Sequence, residues 1–119
     1  MAKPGKTGFT RIIDATGYSM KGFRAAWKNE AAFRQEVALA LIGIPLAFWL
    51  AQSKYDFLWL ITPFFLILAA ELVNSAIEAA IDRIGHEHHE LSGRAKDIGS
   101  ALVFVCFSLL FVVWSVILI

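Results

Sequence analysis

Residues 98–119 carry no charged side chain, an uninterrupted run of 22 positions. At 1.5 Å of rise per helical residue such a run is about 33 Å long, matching the hydrocarbon core of a bilayer. Lipid offers no partner to backbone N–H and C=O groups, so a segment of this kind must bond internally as a helix. Two more segments qualify. One covers about 31–52 around the core VALALIGIPLAFWLA; the other covers about 57–85 and opens on FLWLITPFFLILAA. Pro45 and Pro63 fall inside them and are tolerated in spans as kinks. The expected fold is all-α and integral to a membrane. Hydrophobic residues make up 58% of the 119, and mean hydropathy is +0.63. Little chain is left over for a soluble catalytic domain, so any chemistry belongs at the membrane surface.

The placement of basic residues sets the expected orientation. Lys3, Lys6, Arg11, Lys21, Arg24, Lys28 and Arg34 precede or open the first span, and Arg83, Arg94 and Lys96 lie between the second and third. The turn joining the first two spans holds Lys54, offset by Asp56. The N-terminus and the second loop are therefore expected on the cytoplasmic side. Trp49, Tyr55, Trp59 and Trp114 fit an aromatic belt on the outer side. No secretory signal peptide is expected, because a long charged stretch precedes the first apolar run. A formal net charge of +1 provides no field for nucleic acid. Cys106, alone in an apolar run, reads as a small packing residue.

Residues 1–29 form an expected N-terminal segment of their own, ahead of a three-span catalytic domain over 30–119. Phe9, Ile12, Ile13, Thr16, Met20, Phe23 and Trp27 recur at helical spacing, with Arg11, Asp14, Lys21, Arg24 and Lys28 off that face. Such a basic amphipathic helix is expected to lie in the membrane interface, or to cover the cytoplasmic ends of the spans. Gly17 and Gly22 are expected to bend or split it.

Glu71 follows the second apolar run with no break and begins the acidic stretch ELVNSAIEAAIDR. A carboxylate at mid-bilayer costs about 2.5–3.5 kcal/mol on insertion scales, which makes it a candidate site residue. On a helix Glu71, Asn74, Glu78 and Asp82 fall within roughly 80° of one another, with Ser75 bordering the stripe. Glu71 lies about 10 Å deeper than Glu78. Glu30, at the entry of the first span, is expected to meet Glu78 at similar depth. Two shallow carboxylates beside an amide suit Mg²⁺, which takes one or two protein carboxylates and completes its shell with water and phosphates. The deeper Glu71 suits a general base acting on a membrane-embedded hydroxyl. The plainer alternative pairs these acids with Arg34, Arg83, Arg94 or Lys96. Ala69, Ala76 and Ala80 form a small-residue stripe suited to packing against another helix, and a thin three-helix bundle is expected to oligomerise.

The second loop, GHEHHELSGRAKDIGS, contains three histidines without the HExxH spacing of a zinc helix, and reads as solvated. Gly93, Arg94, Lys96 and Asp97 form a candidate phosphate-gripping turn at the start of the third helix. No GxxxxGK[ST] or kinase glycine loop occurs.

Together TGFTRII, ATGYSMKGFRAAWKNEAAFRQE, ELVNSAIEAAIDRIG and HELSGRAKDIGSA resemble the prokaryotic diacylglycerol kinase family, in the same order and over nearly the whole chain. The resemblance implies a homotrimeric bundle in the bacterial inner membrane, with a surface helix, sites shared between protomers, and the C-terminus in the periplasm. It implies ATP- and Mg²⁺-dependent phosphorylation of diacylglycerol to phosphatidate. Glu71 would be the general base and Asn74 its catalytic neighbour, with Glu30 and Glu78 as metal-linked acids. Arg11, Tyr18, Glu87, His88, His89, Lys96 and Asp97 would join Glu30 and Glu78 in holding the nucleotide. Arg24, Ala31, Ala32, Phe33, Arg34, Gln35, Trp49 and Ser100 would contact the lipid together with Glu71. Met20 and His88 stand where a relative has tryptophan and tyrosine. An undecaprenol kinase of the same family is the neighbouring alternative; a non-catalytic membrane subunit or an ion-conducting bundle is the more distant one.

Overall fold

The computed structural model describes residues 7–119, which form four helices: α1 (Gly8–Asn29), α2 (Ala31–Leu50), α3 (Lys54–Ile84) and α4 (Glu90–Leu118). Lys3 and Lys6, counted above for orientation, lie outside the described residues. The last three helices are each long and apolar enough to cross a membrane. The chain divides into two compact units between Ala31 and Ala32.

The first unit contains α1. Gly8 opens the helix at φ 61°, a left-handed value that a side chain would oppose. The helix then runs unbroken through Gly17 and Gly22, so the glycines do not split it in two. Each isolated glycine costs about 1 kcal/mol in a helix interior, which weakens but does not terminate a helix of 22 residues. It ends at Glu30, whose backbone turns extended while its N–H still donates to the Ala26 carbonyl at 2.9 Å.

The second unit holds the three spans. Residues 51–53 turn α2 into α3. Ser53 caps α3, its Oγ accepting from the Asp56 N–H at 3.1 Å, while Asp56 Oδ2 accepts from the Gln52 N–H at 3.3 Å. This reciprocal arrangement satisfies amides at the helix start and sets a carboxylate at its positive end. Pro63 removes one backbone donor within α3 and is fully buried. In the same turn the Leu60 carbonyl accepts from Trp114 Nε1 on α4 at 3.0 Å. The carbonyl that loses its helical partner at Pro63 is that of Trp59, four residues earlier, so the Trp114 bond is an additional tie between α3 and α4. The Trp114 ring also meets Phe64 edge-on, centroids 6.0 Å apart.

The buried stripe of α3 comprises Leu60, Pro63, Phe64, Ile67, Ala70, Glu71 and Asn74. Its spacing is that of one helix face, and it passes from apolar to acidic without changing direction. On α2 the buried positions are Phe33, Glu36, Ala40, Gly43 and Ala47. A Cβ on Gly43 would collide with the Phe64 ring, so the glycine is what admits that ring to α2. Only 6% of the apolar stretch of α4 is buried, against 33% of that of α3.

One expectation about the loop fails. α4 begins at Glu90, so Gly93, Arg94, Lys96 and Asp97 lie inside a helix, not in a turn before it. The Gly93 N–H is spent on the His89 carbonyl at 3.0 Å and cannot grip a phosphate. The reason is local: polar residues such as ELSGRAKD extend a helix beyond the bilayer as readily as apolar ones extend it within. His89 caps the new start, its Nδ1 accepting from the Leu91 N–H at 3.0 Å.

Candidate active site

The acids on α3 occupy graded environments. Glu71 is 5% exposed and Asn74 9%, whereas Glu78 is half-buried and Asp82 exposed. The grade follows depth, because seven residues of helix separate Glu71 from Glu78 by about 10 Å. Asn74 Nδ2 donates to Glu78 Oε1 at 3.1 Å, one turn along the same face. Its Oδ1 is buried without a partner, as is Ser75 Oγ. Behind Asn74 stands Gly99 of α4, and a Cβ there would strike Asn74 Oδ1. Glycine is therefore what lets the amide reach its place.

Sequence reasoning overlooked Glu36. It is buried on α2, 7% exposed, and its carboxyl lies within hydrogen-bonding reach of that of Glu71. A signal was available. Glu36 shares the spacing of Ala40, Gly43 and Ala47, a small-residue stripe through which α2 can approach a neighbour closely.

Glu30 and Ala31 belong to the first unit, with Arg11, Tyr18 and Arg24. Tyr18 receives Lys21 Nζ over its ring at 5.7 Å. Ala32, Phe33, Arg34 and Gln35 open α2 in the second unit, Phe33 buried and Gln35 exposed. Trp49 lies exposed at the far end of α2, about 20 Å along the axis from Glu36. The structure does not bring it to the acids.

The polar end of the second unit gathers the remaining candidates. Glu87 and His88 lie in the connection between α3 and α4, and the Glu87 carboxylate folds against Gly85. Lys96 Nζ donates to Asp82 Oδ1 at 2.9 Å and so ties α4 to α3, with both side chains partly exposed. His88, Glu90, Arg94 and Asp97 stand in the wall of an open depression of about 480 Å³. Arg94 is 3.6 Å from Glu90. Ser100 is exposed on α4. The arrangement can hold a buried carboxylate at the end of an apolar face, with oxygen donors and a cation farther out.

Comparison with known proteins adds a finding of a different kind. Residues 17–118 match the family described as prokaryotic diacylglycerol kinase. The chain is 53% identical over 112 residues to a diacylglycerol kinase of Escherichia coli strain K12, covering 94% of this chain and 92% of that one. It is 51% identical to a diacylglycerol kinase of Haemophilus influenzae, over 94% and 95% of the two chains. With a diacylglycerol kinase of Pseudomonas aeruginosa the identity is 50%, over 96% and 93%.

Proposed function

The chain belongs to the prokaryotic diacylglycerol kinase family, and on that premise we propose that it transfers the γ-phosphoryl group of ATP to the free hydroxyl of diacylglycerol, releasing phosphatidate and ADP. The observation that carries this reading is the stripe on α3, where Glu71 is buried at the end of an apolar face and Asn74, about one turn farther out, is bonded to Glu78, about two turns out. A diacylglycerol hydroxyl resides at that boundary, and a triphosphate reaches it from water.

Phosphoryl transfer asks for positioning and charge neutralisation more than covalent help. Glu71 accepts the hydroxyl proton as the hydroxyl oxygen forms its bond to the γ-phosphorus. The bond from that phosphorus to the β–γ bridging oxygen breaks, and ADP leaves with the electron pair. Asn74 holds the Glu78 carboxylate in place through its Nδ2. Lys96 and the residues around His88 and Asp97 receive the nucleotide at the polar lip.

Mg²⁺ fits the donors present: Glu78 is a half-buried hard oxygen ligand oriented by an amide, and one or two such carboxylates are what this ion takes beside phosphates. Glu78 and Glu30 would hold it, and when bound it neutralises phosphate charge. α1, whose Phe9, Ile12, Ile13 and Phe23 are exposed, would lie in the cytoplasmic face of the inner membrane and admit the lipid laterally. Homotrimerisation is supported by the small-residue stripe Ala69, Ala76 and Ala80, all exposed on α3.

Glu71→Gln is expected to lower kcat by about 10²–10⁴-fold, the usual contribution of a positioned base, with affinity for MgATP retained. Phosphorylation of diacylglycerol in micelles, followed with labelled ATP, measures this directly. Full turnover in the variant would refute the base. Undecaprenol assayed in parallel separates the two lipid classes, and phosphorylation of the polyprenol alone would overturn the substrate assignment.

A further inference from the structure

Asp82 is the one acid of the α3 stripe that the proposed reaction leaves without a task. It follows Glu78 by four residues, which puts the two Cβ atoms about 5–6 Å apart on one helix face. Its Oδ1 accepts from Lys96 Nζ of α4 at 2.9 Å. Such a bond can serve the helices or the lysine. The helices gain little from it: 43% of the Lys96 side chain and 49% of that of Asp82 are exposed, and pairs so placed add almost nothing to stability. The bond from Trp114 to the Leu60 carbonyl and the contact of Gly99 with Asn74 already join α3 to α4. The lysine gains more. Its four-carbon stem is flexible, and a side chain of that kind loses freedom when it takes up a ligand. Asp82 has removed that freedom beforehand. An ammonium has three N–H donors, and among the described residues Asp82 is the only hydrogen-bond partner of Lys96. Two donors remain for anionic oxygens, so a phosphate need not displace the carboxylate.

We propose that Asp82 is the positioning residue of the nucleotide's lysine: from α3 it holds the Lys96 ammonium one helical turn beyond Glu78, so that the triphosphate meets a cation already in place. The proposal rests on Lys96 receiving the nucleotide. Asp82 touches no substrate in this arrangement. Its own charge opposes a triphosphate, and Lys96 offsets that charge across the 2.9 Å contact. An arginine would spend a bidentate fork on the same carboxylate, whereas the point charge of a lysine serves carboxylate and phosphate together. A carboxylate that withheld Lys96 from the nucleotide would have the opposite effect on binding.

Five variants of the full-length protein in micelles test this: Asp82→Asn, Asp82→Leu, Lys96→Met, and Lys96→Met combined with each of the first two. Each is measured for kcat, the KM values for MgATP and diacylglycerol, and thermal melting. Asparagine and leucine both remove the repulsion between position 82 and the triphosphate, so the difference between them reads the tie alone. Asparagine still offers Lys96 an oxygen of the same reach; leucine does not. Ordering one flexible side chain on binding costs a factor of about 2–10. The expected result is a kcat/KM for MgATP lower in Asp82→Leu than in Asp82→Asn by that factor, with the KM for diacylglycerol retained. In the Lys96→Met background the difference should vanish, because no ammonium is left to hold. Binding of a non-hydrolysable ATP analogue with Mg²⁺ gives the same comparison where turnover is low. A purely structural role would persist in that background and show in the melts. Asp82→Leu equal to Asp82→Asn overturns the proposal, and so does Asp82→Leu above it, which is what a withholding carboxylate predicts. A difference that survives Lys96→Met overturns it as well. Wild-type kcat/KM in Lys96→Met overturns instead the assignment of Lys96 to the nucleotide.

Discussion

Asn74 is held from two sides, by Glu78 through its amide nitrogen and by the bare Cα of Gly99 behind its oxygen. This makes Gly99 more informative than its size suggests. Replacing a mid-helix glycine with alanine ordinarily gains about 1 kcal/mol from helix propensity. Here the added methyl meets Asn74 Oδ1, and overpacking costs about 1–3 kcal/mol. The steric effect wins. Gly99→Ala is expected to lower the melting temperature in detergent and to lower kcat, because the displaced amide releases Glu78. Gly17→Ala provides the contrast, since nothing lies within 4 Å of a Cβ there. Glu71 and Asn74 were legible in the sequence because both lie on one helix, where 3.6-residue periodicity fixes a common face. Glu36 and Gly99 were not, because they reach that face from other helices.

α3 serves two environments with one continuous backbone, apolar through Ala70 and acidic from Glu71 onward. What keeps its upper half aligned with α4 is an anchor at Pro63. There Trp114 donates to the Leu60 carbonyl and packs on Phe64. Trp114→Phe preserves an aromatic ring but removes the donor. It should destabilise the protein by about 0.5–1.5 kcal/mol, the net worth of one hydrogen bond. Denaturation in mixed micelles checks this, and because the anchor is remote from Glu71 the KM for MgATP should hold. At the opposite end the Lys96–Asp82 bridge is partly exposed, and surface pairs of that kind contribute little to stability. The lower end of α4 was misread from sequence for a physical reason. Hydropathy reports where a helix leaves the bilayer, not where it ends, and the seven residues LSGRAKD separate Glu90 from the apolar run.

At the scale of the molecule, three spans leave most of α4 without protein cover. Lipid can supply that cover, so bare apolar surface does not itself demand a partner. The exposed alanine stripe on α3 is the better argument for association, since in membranes close backbone approach is what small residues provide. If sites are shared between protomers, with Glu30 from one chain and Glu71 from another, inactive variants should complement. Glu30→Gln and Glu71→Gln, each inactive alone, are expected to regain activity when unfolded together and reconstituted as mixed oligomers. A random mixture of three-chain assemblies would restore a measurable fraction of turnover. Activity that stays at the level of either variant would place each site within one chain.

By itself the sequence determined the spans, the stripe of acids, and the chemistry that such acids permit at a membrane surface. These follow from local rules: a bilayer demands internally bonded helices of fixed length, and helical period assigns each residue a face. The tertiary structure alone decided which faces meet. Glu36 opposite Glu71, Gly99 behind Asn74 and Trp114 at the Leu60 carbonyl each depend on the rotation and register of one helix against another. In lipid those variables are set by the shapes of small and large side chains at contact, Gly43 against Phe64 among them. Such complementarity is a property of pairs, and no pattern along a single segment contains it.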